Sequence, residues 1–115
     1  MAISEKTRKT LWARSGNRCA FCRVMLVQEN SNQLSIVGDE CHIVARSQEG
    51  PRGNPRLTEE DLDHYSNLIL LCKVHHKIID DQPETYTVTV LKKMKDHHEK
   101  WVNERLKKRT KKRRS

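Results

Sequence analysis

Two short motifs of cysteine and histidine constrain this chain more than any other feature of its sequence. Cys19 and Cys22 are separated by two residues, and so are Cys72 and His75. At this spacing a tight turn can direct both side chains of a pair at one tetrahedral zinc ion, and four such ligands close a structural site. The next residue, His76, is therefore not needed for zinc, although it lies beside a rigid anchor. We expect it to serve a second purpose.

A structural metal suits the size of the chain. With 115 residues, 35% of them hydrophobic, a single small domain can build only a thin core. Four cysteines could instead form two disulfides in a secreted protein. Residues 1–9 contain no apolar stretch of the kind a signal peptide needs, and no segment is apolar enough to span a membrane. We therefore expect a cytoplasmic protein, in whose reducing environment the motifs bind zinc.

The positive charge is concentrated near the C-terminal end. The sequence carries 23 basic and 15 acidic residues, a net charge of +8, and residues 107–114 (KKRTKKRR) are basic except for one threonine. We therefore divide the chain into a folded domain at 1–106 and a basic tail at 107–115. Such a tail favours salt-sensitive contact with phosphate backbones, or it is a solvated end that keeps the protein soluble. Its candidate nucleic-acid contacts are Lys107, Lys108, Arg109, Lys111, Lys112, Arg113 and Arg114.

The pattern of apolar residues predicts a mixed α+β fold with helices at both ends. Caps and i, i+4 apolar spacing indicate helices, whereas alternation or a short apolar run indicates strands. These signals predict helices at 4–14, at 73–80 and from 89 onward, and strands at 68–71 and at 33–44, the latter divided by a turn at Gly38–Asp39. The stretch 47–56, with two Gly and two Pro, predicts an exposed loop.

Between and after the metal motifs the chain contains, in order, a histidine, an asparagine and a second histidine. His42 lies in ECHIVARS, and Asn67 and His76 lie in YSNLILLCKVHHKIIDD. Together with CAFC, GPRGN and MKDHHEKW, these segments resemble the HNH endonuclease family over residues 12–101. The resemblance implies a zinc-stabilised ββα-metal unit, here with flanking N- and C-terminal helices. It also implies hydrolysis of phosphodiester bonds in DNA with Mg²⁺, Mn²⁺ or another divalent ion.

The resemblance further implies a role for each of the three residues. His42 would be the general base that activates water, which suits an imidazole because its pKa lies near the working pH. Asn67 would brace the loop and orient the base, and His76 would bind the catalytic ion. Asp80, four residues after His76, would face the same ion from a helix, or it only ends that helix.

One position departs from the family. Many members carry Asp or His directly before the base as a second ligand of the ion, and here that residue is Cys41, whose thiolate suits softer ions than Mg²⁺. Three alternatives follow: Cys41 is a packed bystander while His76 and Asp80 hold the ion, Glu40 reaches the ion, or the site is weakened. We favour the first. Cys41 could also replace His75 as the fourth zinc ligand.

The expected partner is duplex DNA, with RNA as an alternative. Arg46, Arg52 and Arg56 around the glycine-rich loop are candidate phosphate contacts or solvated loop residues. In 115 residues there is little room for a separate recognition element, so we expect low sequence specificity, or specificity supplied by a homodimer mate or a targeting partner protein. The family is common in phages, mobile elements and anti-phage defence, and that setting is expected by analogy alone. The alternative function is a zinc-ribbon-like module that binds nucleic acid without cutting it.

Overall fold

A computed structural model describes residues 3–45, 52–54 and 56–114, the last seven through their backbone only. In chain order these residues form α1 (Glu5–Ser15), β1 (Val27–Asn30), β2 (Gln33–Ile36), β3 (Gly38–His42), α2 (Glu59–Leu62), β4 (Leu68–Cys72), α3 (Lys73–Asp81) and α4 (Val88–Arg114). A single 3-10 turn, Tyr65–Asn67, leads into β4. The α+β fold predicted from the sequence is confirmed.

The strands form two separate antiparallel pairs in the described residues. β1 pairs with β2, and β3 pairs with β4. The register of the second pair sets Gly38 opposite Cys72 and His42 opposite Leu68. Because α3 follows β4 directly, β3, β4 and α3 make up the ββα unit that the resemblance implies.

The predicted turn at Gly38–Asp39 is wrong. Both residues belong to β3, and the break between β2 and β3 falls at Val37. The glycine reflects a lack of space, because a Cβ on Gly38 would come within 3.0 Å of Leu26 and 3.1 Å of Trp12. A glycine at which a strand packs closely against large side chains resembles a turn signal when only the sequence is seen.

The core is built around β4. All five of its residues are buried, and Leu68, Ile69, Leu70 and Leu71 are fully so. Leu11 of α1, Ile79 of α3 and Leu91 of α4 belong to the same buried cluster. The apolar run at 68–71 is thus a strand with both faces covered, which explains why it does not alternate.

The two flanking helices pack against each other. Ser4 caps α1 by accepting a hydrogen bond from the N–H of Thr7, and Gly16 ends the helix in the left-handed region, with φ of 61°. The side chain of Val102 in α4 packs against this end: a Cβ on Gly16 would lie 3.1 Å from a methyl group of Val102. Buried His98 donates from Nε2 to the carbonyl of Ser15 at 2.9 Å. α4 is thereby fixed across the end of α1.

Helix α4 continues through the basic run to Arg114. Val102 is the last buried residue among its described side chains, and residues 103–107 are exposed. The boundary between domain and tail at 106/107 therefore stays a prediction based on charge. Of the helices in the described part of the chain, none has the length and apolar character needed to cross a membrane.

Candidate active site and metal centre

The two metal motifs converge on one point. The candidate ligand atoms of Cys19, Cys22, Cys72 and His75 all lie within 4.8 Å of one another. The sulfurs of Cys22 and Cys72 are 4.0 Å apart, and Cys72 Sγ lies 3.2 Å from His75 Nδ1. Tetrahedral zinc with bonds of 2.0–2.3 Å separates its ligand atoms by roughly 3.5–3.8 Å. The four residues therefore fit zinc, and they are the only such group of three or more within residues 3–45, 52–54 and 56–114.

Two anchors hold the first motif against the second. Within the turn Cys19–Cys22, the N–H of Ala20 donates to the Leu70 carbonyl in β4 at 2.9 Å. The ring of Phe21 stacks on the imidazole of His75, with ring centroids 4.0 Å apart. The protein thus places the two motifs side by side through its own contacts, and a bound zinc would lock that arrangement.

His42 ends β3 and meets a carboxylate. Its Nε2 lies 2.8 Å from Oδ1 of Asp63, and the two side chains are 20% and 10% exposed. Asp63 follows α2, 21 positions further along the chain. The sequence does not single it out, because it is one of several acidic residues between 59 and 63 that look equivalent there.

Asn67 is buried and ties the end of β3 to α2. Its Oδ1 accepts from the N–H of Val44 at 2.8 Å, and its Nδ2 donates to the carbonyls of Val44 at 3.1 Å and Leu62 at 2.9 Å. Its own carbonyl accepts from the N–H of Ile43 at 2.8 Å. These are the contacts of a brace next to His42, the role that the resemblance implies.

Both ring nitrogens of His76 face carboxylates. Nδ1 lies 2.9 Å from Oδ2 of Asp39, and Nε2 lies 3.2 Å from Oδ2 of Asp80. The other oxygen of Asp39 accepts from Lys73 Nζ at 2.7 Å. Partial burial of Asp39 acts to raise its pKa, but hydrogen bonds from Lys73 and His76 outweigh this effect and hold the pKa below its usual value. Asp39 is not among the predicted site residues, because the sequence predicts a turn at this position.

A model of the HNH endonuclease family matches residues 19–82. The matched segment is more than half of the chain and contains both metal motifs, His42, Asn67 and His76. The chain belongs to the HNH endonuclease family. Among curated proteins, none matches the chain. The segment begins at the first candidate zinc ligand and ends at the cap of α3, so α1 and α4 lie outside the matched segment.

At the position before His42, Cys41 is a packed residue. It is 2% exposed and its thiol donates to the Asp39 carbonyl at 3.4 Å. Burial, followed by the charges of Asp39 and Asp80, holds the pKa of this thiol far above its usual range. A buried thiol that keeps its proton is a poor metal ligand. This geometry favours the alternative in which Cys41 is a bystander and His75 completes the zinc site.

Glu40 faces α1 rather than the HNH histidines. Its Oε2 accepts from Trp12 Nε1 at 2.7 Å, and its Oε1 accepts from Arg8 Nε at 3.1 Å. Both carboxylate oxygens are thus engaged in attaching β3 to α1. The arrangement disfavours the alternative in which Glu40 reaches the catalytic ion.

Arg52 connects the end of β3 to α3. Its guanidinium donates to the carbonyls of Ile43 and Ile79 at 2.9 and 2.8 Å, and to Oδ1 of Asp80 at 2.9 Å. The side chain is 4% exposed. The contacts are those of an internal clamp that orients Asp80, and they run against the expectation that Arg52 grips phosphate.

The remaining predicted nucleic-acid contacts differ in what the structure describes. Arg46 lies outside the described residues, Arg56 and Lys107 are exposed, and residues 108–114 are described by their backbone alone. Their contact with nucleic acid stays a prediction.

Proposed function

We propose that this HNH protein is a metal-dependent endonuclease that hydrolyses phosphodiester bonds in DNA with low intrinsic sequence specificity. One observation carries the proposal. The three family residues lie on or directly beside the ββα unit: His42 ends β3, Asn67 precedes β4 and binds the backbone just after β3, and His76 lies on α3 directly after the candidate zinc ligand His75. Zinc at Cys19, Cys22, Cys72 and His75 would fix the start of α3 and thus the position of His76.

In this proposal His42 is the general base. Hydrolysis of a phosphodiester needs a water molecule that loses a proton as it attacks, and a neutral imidazole accepts that proton near neutral pH. The side chain of His42 is partly exposed, so water can reach it. Asn67 holds the backbone just after the base through both of its amide atoms.

His76 and Asp80 are the proposed ligands of a divalent ion, Mg²⁺, Mn²⁺ or a related one. Nε2 of His76 and Oδ2 of Asp80 are 3.2 Å apart, and the two side chains are 35% and 46% exposed. When bound, such an ion neutralises charge on the scissile phosphate and stabilises the leaving 3′ oxygen. Arg52 holds the second oxygen of Asp80 and so keeps this carboxylate beside His76.

The proposed substrate is duplex DNA, with RNA as the alternative. Arg46 and the basic residues of 107–114 are the proposed phosphate contacts, because positive charge there supplies affinity that does not depend on sequence. Specificity, where the protein has any, would come from a second copy of the chain or a partner protein. A phage, mobile element or anti-phage defence system would be the natural setting of such an enzyme.

Cleavage of supercoiled plasmid by purified protein tests the proposal. Wild-type protein should nick or linearise the plasmid when Mg²⁺ or Mn²⁺ is added, and His42→Ala should abolish cleavage while zinc content and plasmid binding are retained. His97→Ala, which replaces an exposed histidine of α4, is the matched control and should cut normally.

A non-catalytic zinc-ribbon-like binding module is the second candidate. The observation that favours it is Cys41, a buried thiol at the position where many family members place a ligand of the ion. If wild-type protein binds plasmid but cuts neither DNA nor RNA with any divalent ion, this second candidate is correct and the nuclease proposal fails.

A further inference from the structure

The contact between His42 and Asp63 supports an inference that rests on the proposed nuclease function. We propose that Asp63 is a positioning residue that fixes the tautomer of His42, so that Nε2 carries the proton and Nδ1 is the basic nitrogen. Asp63 is not among the site residues predicted from the sequence; its contact with His42 in the structure identifies it.

The first step is the chemistry of the pair. An aspartate is ionised near neutral pH and its oxygens can then only accept hydrogen bonds. With 2.8 Å between Nε2 of His42 and Oδ1 of Asp63, Nε2 must therefore be the donor. A neutral imidazole has one N–H, so Nδ1 is left with the free lone pair.

The second step is how the pair is held. Val44 lies two residues after His42, and Leu62 directly precedes Asp63. The buried amide of Asn67 binds the backbone of both, through Val44 N–H and carbonyl and through the Leu62 carbonyl. One side chain thus fixes the two backbone segments from which His42 and Asp63 project, so the contact is built into the fold and is not a chance pairing at the surface.

The third step is the consequence for the reaction. A water molecule gives its proton to Nδ1 as its oxygen bonds to phosphorus and the bond to the 3′ oxygen breaks. The imidazolium that forms is then paired with the Asp63 carboxylate, which stabilises it. In an acid–histidine pair of this kind, the carboxylate acts by orienting the ring and selecting its tautomer, and it does not itself take the proton.

Asp63→Asn tests the inference with little change in size. The amide can donate to Nε2, which moves the ring proton to Nδ1 and blocks the base. We expect kcat for plasmid cleavage to fall by about 10²- to 10⁴-fold, while KM for DNA, zinc content and the thermal midpoint stay close to wild type. Glu60→Gln replaces an exposed acid of α2 and, as the matched control, should leave kcat unchanged.

Nitrogen NMR of the histidine rings supplies a readout that needs no turnover, and its wild-type arm needs no variant. In wild-type protein, at a pH at which the ring is neutral, His42 should be the Nε2–H tautomer, and in Asp63→Asn it should become mixed or Nδ1–H. An Nδ1–H tautomer of the neutral ring in wild-type protein overturns the inference, and so does wild-type kcat in Asp63→Asn.

The same measurements separate this inference from the proposed function. If wild-type protein cuts nothing but shows the Nε2–H tautomer, and Asp63→Asn loses it, the nuclease proposal fails and the assignment of Asp63 stands. If wild-type protein cuts and the tautomer is not that expected, the nuclease proposal stands and the assignment of Asp63 fails.

Discussion

His75 and His76 are neighbours in the chain, yet their side chains lie in two different kinds of surroundings. His75 meets the sulfur of Cys72 and stacks on Phe21. His76 lies between the carboxylates of Asp39 and Asp80. Successive residues of a helix point about 100° apart. The first turn of α3 can therefore direct His75 towards the cysteine sulfurs and His76 towards the carboxylates.

In the proposed function, the difference between the two sites follows from what each would do. The four candidate zinc ligands fill a tetrahedron and leave no position for a reactant, which suits a structural site. At His76, Asp39 faces Nδ1 and Asp80 faces Nε2. An ion bound to one of these nitrogens could therefore be reached by only one of the two carboxylates unless the side chains moved. An incomplete protein ligand set of this kind leaves room for water and phosphate, which a catalytic ion needs.

The largest expected effect comes from breaking the closed site. Cys19→Ser should abolish zinc binding and the cooperative fold together, because in small zinc domains the metal-binding free energy, about 10–16 kcal/mol, is folding free energy. Zinc content and a thermal melt followed by circular dichroism measure this. Cys41→Ser is the matched control: it changes an equally buried thiol outside the cluster and should keep zinc, at a cost of about 1–3 kcal/mol for a buried hydroxyl.

A Cys19→Ser protein that is stably folded and zinc-free would contradict the structural assignment of the cluster. Loss of zinc from Cys41→Ser would instead place Cys41 among the ligands.

The second-largest effect distinguishes His75 from His76. His76→Ala should keep zinc and the thermal midpoint but lose about 10²-fold or more in kcat, since a catalytic group and not a structural one is removed. His75→Ala should lose zinc and the fold. Plasmid cleavage, zinc content and thermal melts of both variants measure the contrast, and zinc loss from His76→Ala with retention in His75→Ala would reverse the two assignments.

A smaller effect is expected from Asp39. A histidine that binds a metal commonly donates its other N–H to a carboxylate, and loss of that carboxylate typically weakens metal affinity by about 10- to 100-fold. In this protein the contact is from His76 Nδ1 to Asp39. Asp39→Asn should therefore raise the Mg²⁺ or Mn²⁺ concentration needed for half-maximal cleavage by about that factor.

Glu40→Gln is the matched control for Asp39→Asn, because Glu40 is the next residue of β3 and its carboxylate faces α1. It should leave the metal dependence unchanged. A shift in Glu40→Gln together with none in Asp39→Asn would mean that Glu40, and not Asp39, belongs to the ion site.

Asp39 and Asp63 show which site residues cannot be predicted from the sequence. The zinc cluster was predictable because each half is a local motif, and the fit of four donors to one ion is strict. Asp39 and Asp63 were not, because each meets its histidine across 37 and 21 residues, respectively, and only the tertiary fold selects them among many acids. The same holds for Arg52, which lies in a glycine-rich segment but is buried by its contacts to α3.

The β1–β2 hairpin is predicted only in part, because the strand stretch predicted at 33–44 includes β2 but no strand is predicted at β1. All four residues of β2 are exposed, Leu34 and Ile36 included, so the alternation of polar and apolar residues at 33–36 does not correspond to an exposed and a buried face. The stronger signal was the turn: Ser31 and Asn32 both have positive φ, 53° and 62°, as a two-residue hairpin turn requires. A polar Ser-Asn pair of this kind predicts a hairpin more weakly than Asn-Gly does.

The basic end of α4 should have the smallest effect, because it belongs to neither metal site. Deletion of 107–114 should leave zinc content, the thermal midpoint and kcat at saturating DNA unchanged, since the last buried side chain described on α4 is Val102. Each lost phosphate contact should reduce the slope of log affinity against log salt by about 0.9.

Replacing Lys92 and Lys93, exposed on the same helix, by Gln controls for general charge. A slope that falls only in the deletion assigns DNA contact to the end of α4, whereas an unchanged slope means that this run only solvates the helix and that affinity for DNA comes from the HNH unit itself.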